Sequence, residues 1–81
     1  MKIVIYGADY CPYCQSAKKL VEKHNRQYTY VETTTPEGEK QREQLGKQYN
    51  WQTIPMIFVD GKFVGGFDDF SEKVKNKEIV L

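Results

Sequence analysis

The sequence is poor in the residues that build metal sites and disulfide frameworks, since its 81 residues include only two cysteines and one histidine. Two cysteines cannot form a disulfide-rich scaffold, and with one histidine they fall short of the four ligands of a closed zinc site. No apolar run approaches the ~18 residues needed to span a bilayer. The net charge of +1 gives no general attraction to nucleic acid. We therefore expect a cytosolic protein of one domain, residues 1–81, that binds neither membranes nor nucleic acid.

The two cysteines form the most informative feature of the chain, the motif Cys11-Pro12-Tyr13-Cys14. The motif follows a short apolar run, residues 3–6, and precedes a stretch that is typical of a helix. The unpaired N–H groups and the partial positive charge at a helix start favour a thiolate over a thiol. We therefore predict a reversible thiol–disulfide site, with Cys11 as a nucleophile at the exposed lip of the turn.

The helical spacing predicts a different role for the second cysteine. Cys14, Ala17 and Val21 recur at intervals of three and four, so they share the helix face that points into the core. We predict that Cys14 is buried and protonated at rest and can close a small disulfide ring with Cys11. Because so small a ring restrains the unfolded chain little, the pair favours catalysis over stabilisation. Pro12 suits the first helical position.

The hydrophobic pattern predicts the element order βαβαββα. A βαβ unit implies two parallel strands, and Asp60-Gly61 is typical of a type I′ hairpin between antiparallel strands. The threonines before Pro36 can cap the second helix, which is the least periodic element. The predicted elements are strands at residues 2–6, 28–32, 55–60 and 62–64, with helices at residues 12–24, 37–49 and from Phe67 to about Lys77, after a break at Gly65-Gly66.

Three motifs in this order resemble the glutaredoxin family: Cys11-Pro12-Tyr13-Cys14, Thr53-Ile54-Pro55 and Gly65-Gly66-Phe67-Asp68-Asp69. Together with the element order, the resemblance covers about residues 2–77, and it is nearest to the small dithiol glutaredoxins of bacteria and their phages. It implies an α/β thioredoxin-like fold with a four-stranded mixed sheet flanked by helices.

The resemblance also implies where glutathione binds. A cis Pro55 is expected to bring the segment from Thr53 beside the active cysteine, and Ile54 is expected to pair its backbone with the cysteine of glutathione in the manner of a strand. Tyr13 is expected to line the same groove.

The last motif resembles the family's clamp for the γ-glutamyl end of glutathione. Gly66 allows close approach of the backbone, and the N–H groups at the start of the last helix, near Phe67, can hold the α-carboxylate. Asp69 is expected to hold the α-ammonium. Asp68 is a second candidate for that role, with a simple helix-capping role as the alternative.

One position departs from the family pattern. Many glutaredoxins carry a basic residue three positions before the first cysteine, where this chain has Ala8 followed by Asp9. Arg42, on the second helix, is our candidate to hold the glycyl carboxylate instead, with a solvated helix charge as the more ordinary interpretation. Trp51 is either a flank of the core or a contact for protein substrates.

The function implied by the resemblance is that of a glutathione-dependent thiol–disulfide oxidoreductase. It would reduce protein disulfides and glutathione mixed disulfides, with ribonucleotide reductase as a candidate protein substrate. Glutathione is then a co-substrate, and we expect a monomer without a metal or other bound cofactor. The alternatives are a redoxin reduced by a flavin-dependent thioredoxin reductase, a zinc module to which only His24 could add a ligand beside the two thiols, and a carrier of an iron–sulfur cluster shared between two chains.

Overall fold

The computed structural model describes residues 1–81 and contains the seven elements in the predicted order. They are β1 (Ile3–Gly7), α1 (Pro12–Lys23), β2 (Thr29–Glu32), α2 (Pro36–Tyr49), β3 (Met56–Val59), β4 (Lys62–Gly65) and α3 (Phe67–Lys75).

The four strands form one mixed sheet in the order β2-β1-β3-β4. β1 runs parallel to β2, as the βαβ unit predicts, and β3 is antiparallel to both β1 and β4. The predicted thioredoxin-like architecture is confirmed. The carboxyl end of β1 and the start of α1 therefore meet at one end of the strands, and the cysteine motif lies at this junction.

The hairpin between β3 and β4 has the predicted chemistry. Asp60 and Gly61 both have positive φ values, 51° and 80°, which a type I′ turn requires. The carboxylate of Asp60 also accepts a hydrogen bond from the backbone N–H of Lys2 (2.8 Å), which ties this turn to the start of β1.

Several predicted boundaries were wrong by one or two residues. β1 is Ile3–Gly7 rather than residues 2–6, and β3 begins after Pro55, which has no N–H to donate to a ladder. Gly65 still pairs with β3, so β4 breaks only at Gly66, and α3 ends at Lys75. The predicted start of α2 at residue 37 was one residue too late, because the helix begins at Pro36, directly after its capping residue Thr35. The Oγ1 of Thr35 accepts a hydrogen bond from the N–H of Gly38 at 3.0 Å.

The core lies between the sheet and the helices α1 and α3. Its fully buried members alternate along β1 and recur at helical spacing on α1; they are Ile3, Ile5, Ala17, Val21, Ile57 and Phe70. The other face of the sheet carries an aromatic cluster in which Phe58 of β3 contacts Tyr6 and Tyr49, with ring centroids 5.7 and 5.5 Å apart. Tyr49 belongs to α2, so this weakly amphipathic helix is held by aromatic contacts. None of the three helices combines the length and apolar character needed to cross a bilayer.

Candidate active site

Cys11 is the N-cap of α1, placed there by the chain leaving β1. Its backbone is extended (φ −93°, ψ 113°), and its Sγ accepts a hydrogen bond from the N–H of Cys14 at 3.2 Å. Pro12 occupies the first helical position, as predicted, where a missing N–H costs nothing. The sulfur therefore lies at the positive end of the helix, beside an N–H group that stabilises a thiolate.

The prediction that Cys11 is exposed was wrong. Only 7% of the residue is accessible to solvent, because it packs with the buried Ala8 and with Ile54 of the loop before β3. Its Sγ lies 3.7 Å from the carbonyl oxygen of Ile54, within reach of a weak thiol hydrogen bond. The exposed positions in the motif are Pro12 and Tyr13, and Tyr13 is 60% accessible. A substrate disulfide must therefore reach a sulfur that is largely covered, next to the exposed Tyr13.

Cys14 is fully buried one helical turn later, as its spacing predicted. Burial raises the pKa of the Cys14 thiol to about 12, and its hydrogen bond with Cys11 contributes in the same direction. Cys14 is therefore a thiol at neutral pH, and both cysteines are free rather than bridged.

Gly7 is a site residue that the sequence reasoning missed. A Cβ at this position would lie 2.8 Å from the Sγ of Cys14, which is closer than such contacts allow. Only glycine lets β1 pass this close to the buried sulfur. The signal available in the sequence was a glycine at the end of a strand directly before the cysteine motif.

A groove with a volume of about 330 Å³ opens next to the cysteines. The Ile54–Pro55 peptide bond on its wall is cis, as the resemblance implied. Ile54 lies outside the sheet, and its N–H has no hydrogen-bond partner within the chain. The groove is lined by residues that were all among the predicted glutathione contacts: Tyr13, Thr53, Ile54, Pro55, Gly66, Phe67, Asp68 and Asp69.

The opposite wall of the groove is the start of α3. Gly66 is the N-cap, and its N–H donates to the carboxylate of Asp69 at 3.2 Å. Gly65 has a φ of 125°, and a Cβ there would lie 2.5 Å from the same carboxylate, so the first glycine of the pair is the one that requires glycine. The ring of Phe67 lies 6.3 Å from the ring of Tyr13, which brings the two walls together.

Arg42 does not lie in this groove. Its guanidinium donates to the carbonyl oxygen of Gln52 at 3.2 Å, and it lines a separate cavity of about 500 Å³ between α2 and the segment at residues 50–52. Trp51 lines that cavity, and its ring lies 5.2 Å from that of Phe63 and near Gly66, so it extends the aromatic cluster of Phe58 and Tyr49. Its contact with protein substrates stays a prediction. The role of Arg42 toward a glycyl carboxylate stays a prediction.

The structure does not favour the metal alternative. His24 caps the far end of α1, about 20 Å along the helix axis from Cys11 at 1.5 Å per residue. No group of three or more His, Cys, Asp or Glu side chains is arranged to hold a metal ion.

The chemistry of the site follows from these positions. A sulfur at a helix N-terminus, a buried thiol one turn later and an adjoining groove with a free backbone N–H define a thioredoxin-like thiol–disulfide oxidoreductase. The glutaredoxin family model matches residues 3–64, and the chain belongs to the glutaredoxin family.

Individual relatives agree with this assignment. Glutaredoxin 1 of Escherichia coli is 41% identical over an alignment of 83 positions, gaps included, which covers 93% of this chain and 94% of the relative. A glutaredoxin of Ricinus communis is 33% identical over 79 residues, covering 96% of this chain and 78% of the relative. The crystal structure of a buckwheat glutaredoxin–glutathione complex superposes with a TM-score of 0.90 at 29% identity, covering 96% of this chain and 72% of that one.

Proposed function

We propose that this protein uses glutathione to reduce protein disulfides and glutathione mixed disulfides. The observation that carries the proposal is the groove beside Cys11, which is lined on one side by Ile54, whose N–H is unpaired, and on the other by the start of α3. An extended tripeptide can add to this backbone in strand fashion while its carboxylate meets the helix N-terminus. The buckwheat relative is described in complex with glutathione, which supports the same ligand here.

In the first step, the Cys11 thiolate attacks one sulfur of a substrate disulfide. A bond forms between the Sγ of Cys11 and that sulfur, and the other substrate sulfur leaves as a thiolate that takes up a proton. The N–H of Cys14 and the start of α1 stabilise the attacking thiolate until the bond forms.

The mixed disulfide on Cys11 is then resolved in one of two ways. With a protein substrate, Cys14 attacks the Sγ of Cys11, the second substrate thiol is released, and two glutathione molecules later reduce the Cys11–Cys14 bridge. With a glutathione mixed disulfide, the leaving thiol is the protein, and a second glutathione releases oxidised glutathione from Cys11. Both routes return the enzyme to its dithiol form without an additional oxidant or reductant.

In the proposed complex the groove binds the cysteinyl and γ-glutamyl parts of glutathione, and Arg42 binds the glycyl part from outside it. The backbone of Ile54 pairs with the cysteinyl residue, and the N–H groups at Gly66 and Phe67 bind the γ-glutamyl carboxylate. Asp69 holds the α-ammonium with the carboxylate oxygen that does not accept from Gly66. Arg42, from the neighbouring cavity, would hold the glycyl carboxylate after it exchanges its contact with Gln52.

Comparison of reductants tests the proposal directly. The oxidised protein is incubated with NADPH and either glutathione plus glutathione reductase or a flavin-dependent thioredoxin reductase, and NADPH consumption is followed. We expect fast reduction with glutathione and little with thioredoxin reductase. The opposite result would assign the protein to the redoxin pathway, which the groove does not favour.

We further propose, from the family resemblance, that the protein substrate is a disulfide-bearing enzyme such as an oxidised ribonucleotide reductase in a reducing cytosol. The protein would act as a monomer with no bound cofactor. Turnover of purified ribonucleotide reductase with this protein as sole electron donor tests the substrate. A Cys14→Ser variant is the control, because it lacks the resolving sulfur that such a substrate needs.

A further inference from the structure

A tyrosine hydroxyl that the proposed reaction does not use lies beside the resolving sulfur. The Oη of Tyr30 is buried and has no hydrogen-bond partner. A Cβ on Gly7 would lie 2.8 Å from this oxygen and also 2.8 Å from the Sγ of Cys14. The hydroxyl and the sulfur therefore border the same small space, which exists because Gly7 has no side chain.

The strand register explains this placement. Tyr30 of β2 pairs with Ile5 of β1, so its side chain lies on the face of the sheet that α1 covers, and Gly7 follows Ile5 on that face. From α1, the Nζ of Lys18 lies 4.3 Å from the centroid of the Tyr30 ring. A cation over the ring draws electron density from the phenol and makes its hydroxyl a better donor.

An unpaired buried hydroxyl is unfavourable, which points to a partner in another state of the protein. Burial, followed by the charges of Cys14 and Glu32, raises the pKa of Tyr30. The phenol therefore keeps its proton and acts as a donor. Cys14 gains negative charge at its Sγ only when it reacts, and the resting thiol needs no such donor.

We propose that Tyr30 donates a hydrogen bond to the Sγ of Cys14 as this sulfur becomes negatively charged during resolution. The inference rests on the proposed function in needing Cys14 to resolve a mixed disulfide on Cys11. In that step the Cys11–Cys14 bond forms, the bond from Cys11 to the substrate sulfur breaks, and the proton of Cys14 passes to the departing thiolate or to solvent. Tyr30 keeps its own proton throughout.

The test measures the reactions of the two cysteines as two separate kinetic phases. The reduced protein is mixed with dithiobis(nitrobenzoic acid), which releases one coloured thiolate when Cys11 attacks and a second when Cys14 resolves the mixed disulfide. We expect Tyr30→Phe to leave the first, bimolecular phase unchanged and to slow the second, unimolecular phase about tenfold, since a hydrogen bond to a charged atom is lost. Cys14→Ser shows the first phase alone and identifies it.

Tyr28→Phe is the matched control, because it removes a hydroxyl that bonds Glu22 rather than facing the sulfur. Its two phases should equal those of the unchanged protein. A rate of the second phase in Tyr30→Phe within twofold of that of the unchanged protein, or an equal slowing of both phases, would overturn the proposal.

If Tyr30→Phe does not fold, the Lys18→Met variant is measured in the same assay. A second phase about twofold slower supports the proposal, and an unchanged second phase overturns it. The assay contains no glutathione, so its result does not depend on which reductant the enzyme uses.

Discussion

The Sγ of Cys11 lies 3.7 Å from the carbonyl oxygen of Ile54, a residue 43 positions away in the sequence. This contact joins the reacting sulfur to the groove, because the N–H of the same residue is free to pair with a bound peptide. A glutathione that pairs with Ile54 would therefore place its own sulfur next to Cys11. The loop before β3 shields the nucleophile and, in the proposed complex, would also orient its substrate.

The two cysteines should differ in what their loss abolishes. Cys11→Ser removes the attacking sulfur and is expected to abolish every reaction. Cys14→Ser is expected to retain cleavage of glutathione mixed disulfides, in which glutathione replaces the resolving thiol, while reduction of protein disulfides falls to background. The two variants are compared with a glutathionylated peptide and with insulin as substrates. Equal losses in both assays for Cys14→Ser would contradict this division.

The burial of Cys14 should also affect stability at alkaline pH. The pKa of this thiol is raised from 9.0 to about 12, so between these values the folded state holds a proton that the unfolded state has released. The stability linked to this proton is fully present below about pH 9 and is lost as the pH rises toward 12. We expect a shallower decline of the free energy of unfolding above pH 9 in Cys14→Ala, measured by urea denaturation at several pH values.

Ser16→Ala is the control for the alkaline profile, because it replaces another small residue of α1 that does not titrate. Its decline should parallel that of the unchanged protein. Tyr28 also has its pKa raised to about 12 by burial and by its bond to Glu22, so some slope will persist in every variant. Parallel profiles for Cys14→Ala and the unchanged protein would mean that Cys14 does not titrate differently in the folded state.

Local sequence patterns were sufficient for much of the fold. The Asp60-Gly61 pair specified its own turn, and the three-and-four spacing of Cys14 identified the buried cysteine, because both depend on neighbours within one turn of chain. The groove was also predictable, since its residues come from short motifs whose order matches the family. The turn and the buried cysteine needed no knowledge of how distant segments pack, whereas the groove was predicted only through the resemblance to the family.

The prediction that Cys11 is exposed was wrong because local sequence patterns do not report contacts with distant segments. Position along a turn favoured exposure, yet the sulfur is covered by Ala8 and by Ile54 from a distant loop. The neighbours of Arg42 and Gly7, which are a carbonyl of Gln52 and a buried sulfur, are also set by tertiary contacts, and the role of Arg42 toward glutathione stays a prediction. No local pattern in the sequence reports these distances.

Gly7 should tolerate no side chain. Alanine would place a Cβ 2.8 Å from the Sγ and 2.9 Å from the Cβ of Cys14, and a crowded core of this kind costs about 1–3 kcal/mol. We expect Gly7→Ala to lower the free energy of unfolding by about that amount in urea denaturation. Gly66→Ala is the steric control, since its Cβ would lie 3.5 Å from the nearest atom of Trp51. A Gly7→Ala protein as stable as the unchanged protein would show that β1 can move away from α1 at no cost.

Asp69 should determine the affinity for glutathione more than the rate of chemistry. Its carboxylate accepts from the N–H of Gly66 and, in the proposed complex, also holds the α-ammonium of glutathione. A hydrogen bond to a charged group contributes ~1.5–3 kcal/mol, and the exposure of Asp69 favours the lower end of that range. We expect Asp69→Asn to raise the KM for glutathione about tenfold, with kcat changed by less than about twofold, in the coupled glutathione reductase assay.

The matched control is Glu72→Gln, which removes one negative charge from the exposed side of α3 one turn beyond Asp69. If Asp69 acts through a direct contact, Glu72→Gln leaves the KM for glutathione unchanged. A similar rise in both variants would instead indicate a general effect of charge on α3. A loss of thermal stability in Asp69→Asn without a change in KM would limit Asp69 to its contact with Gly66, and the α-ammonium would then have to be assigned to Asp68.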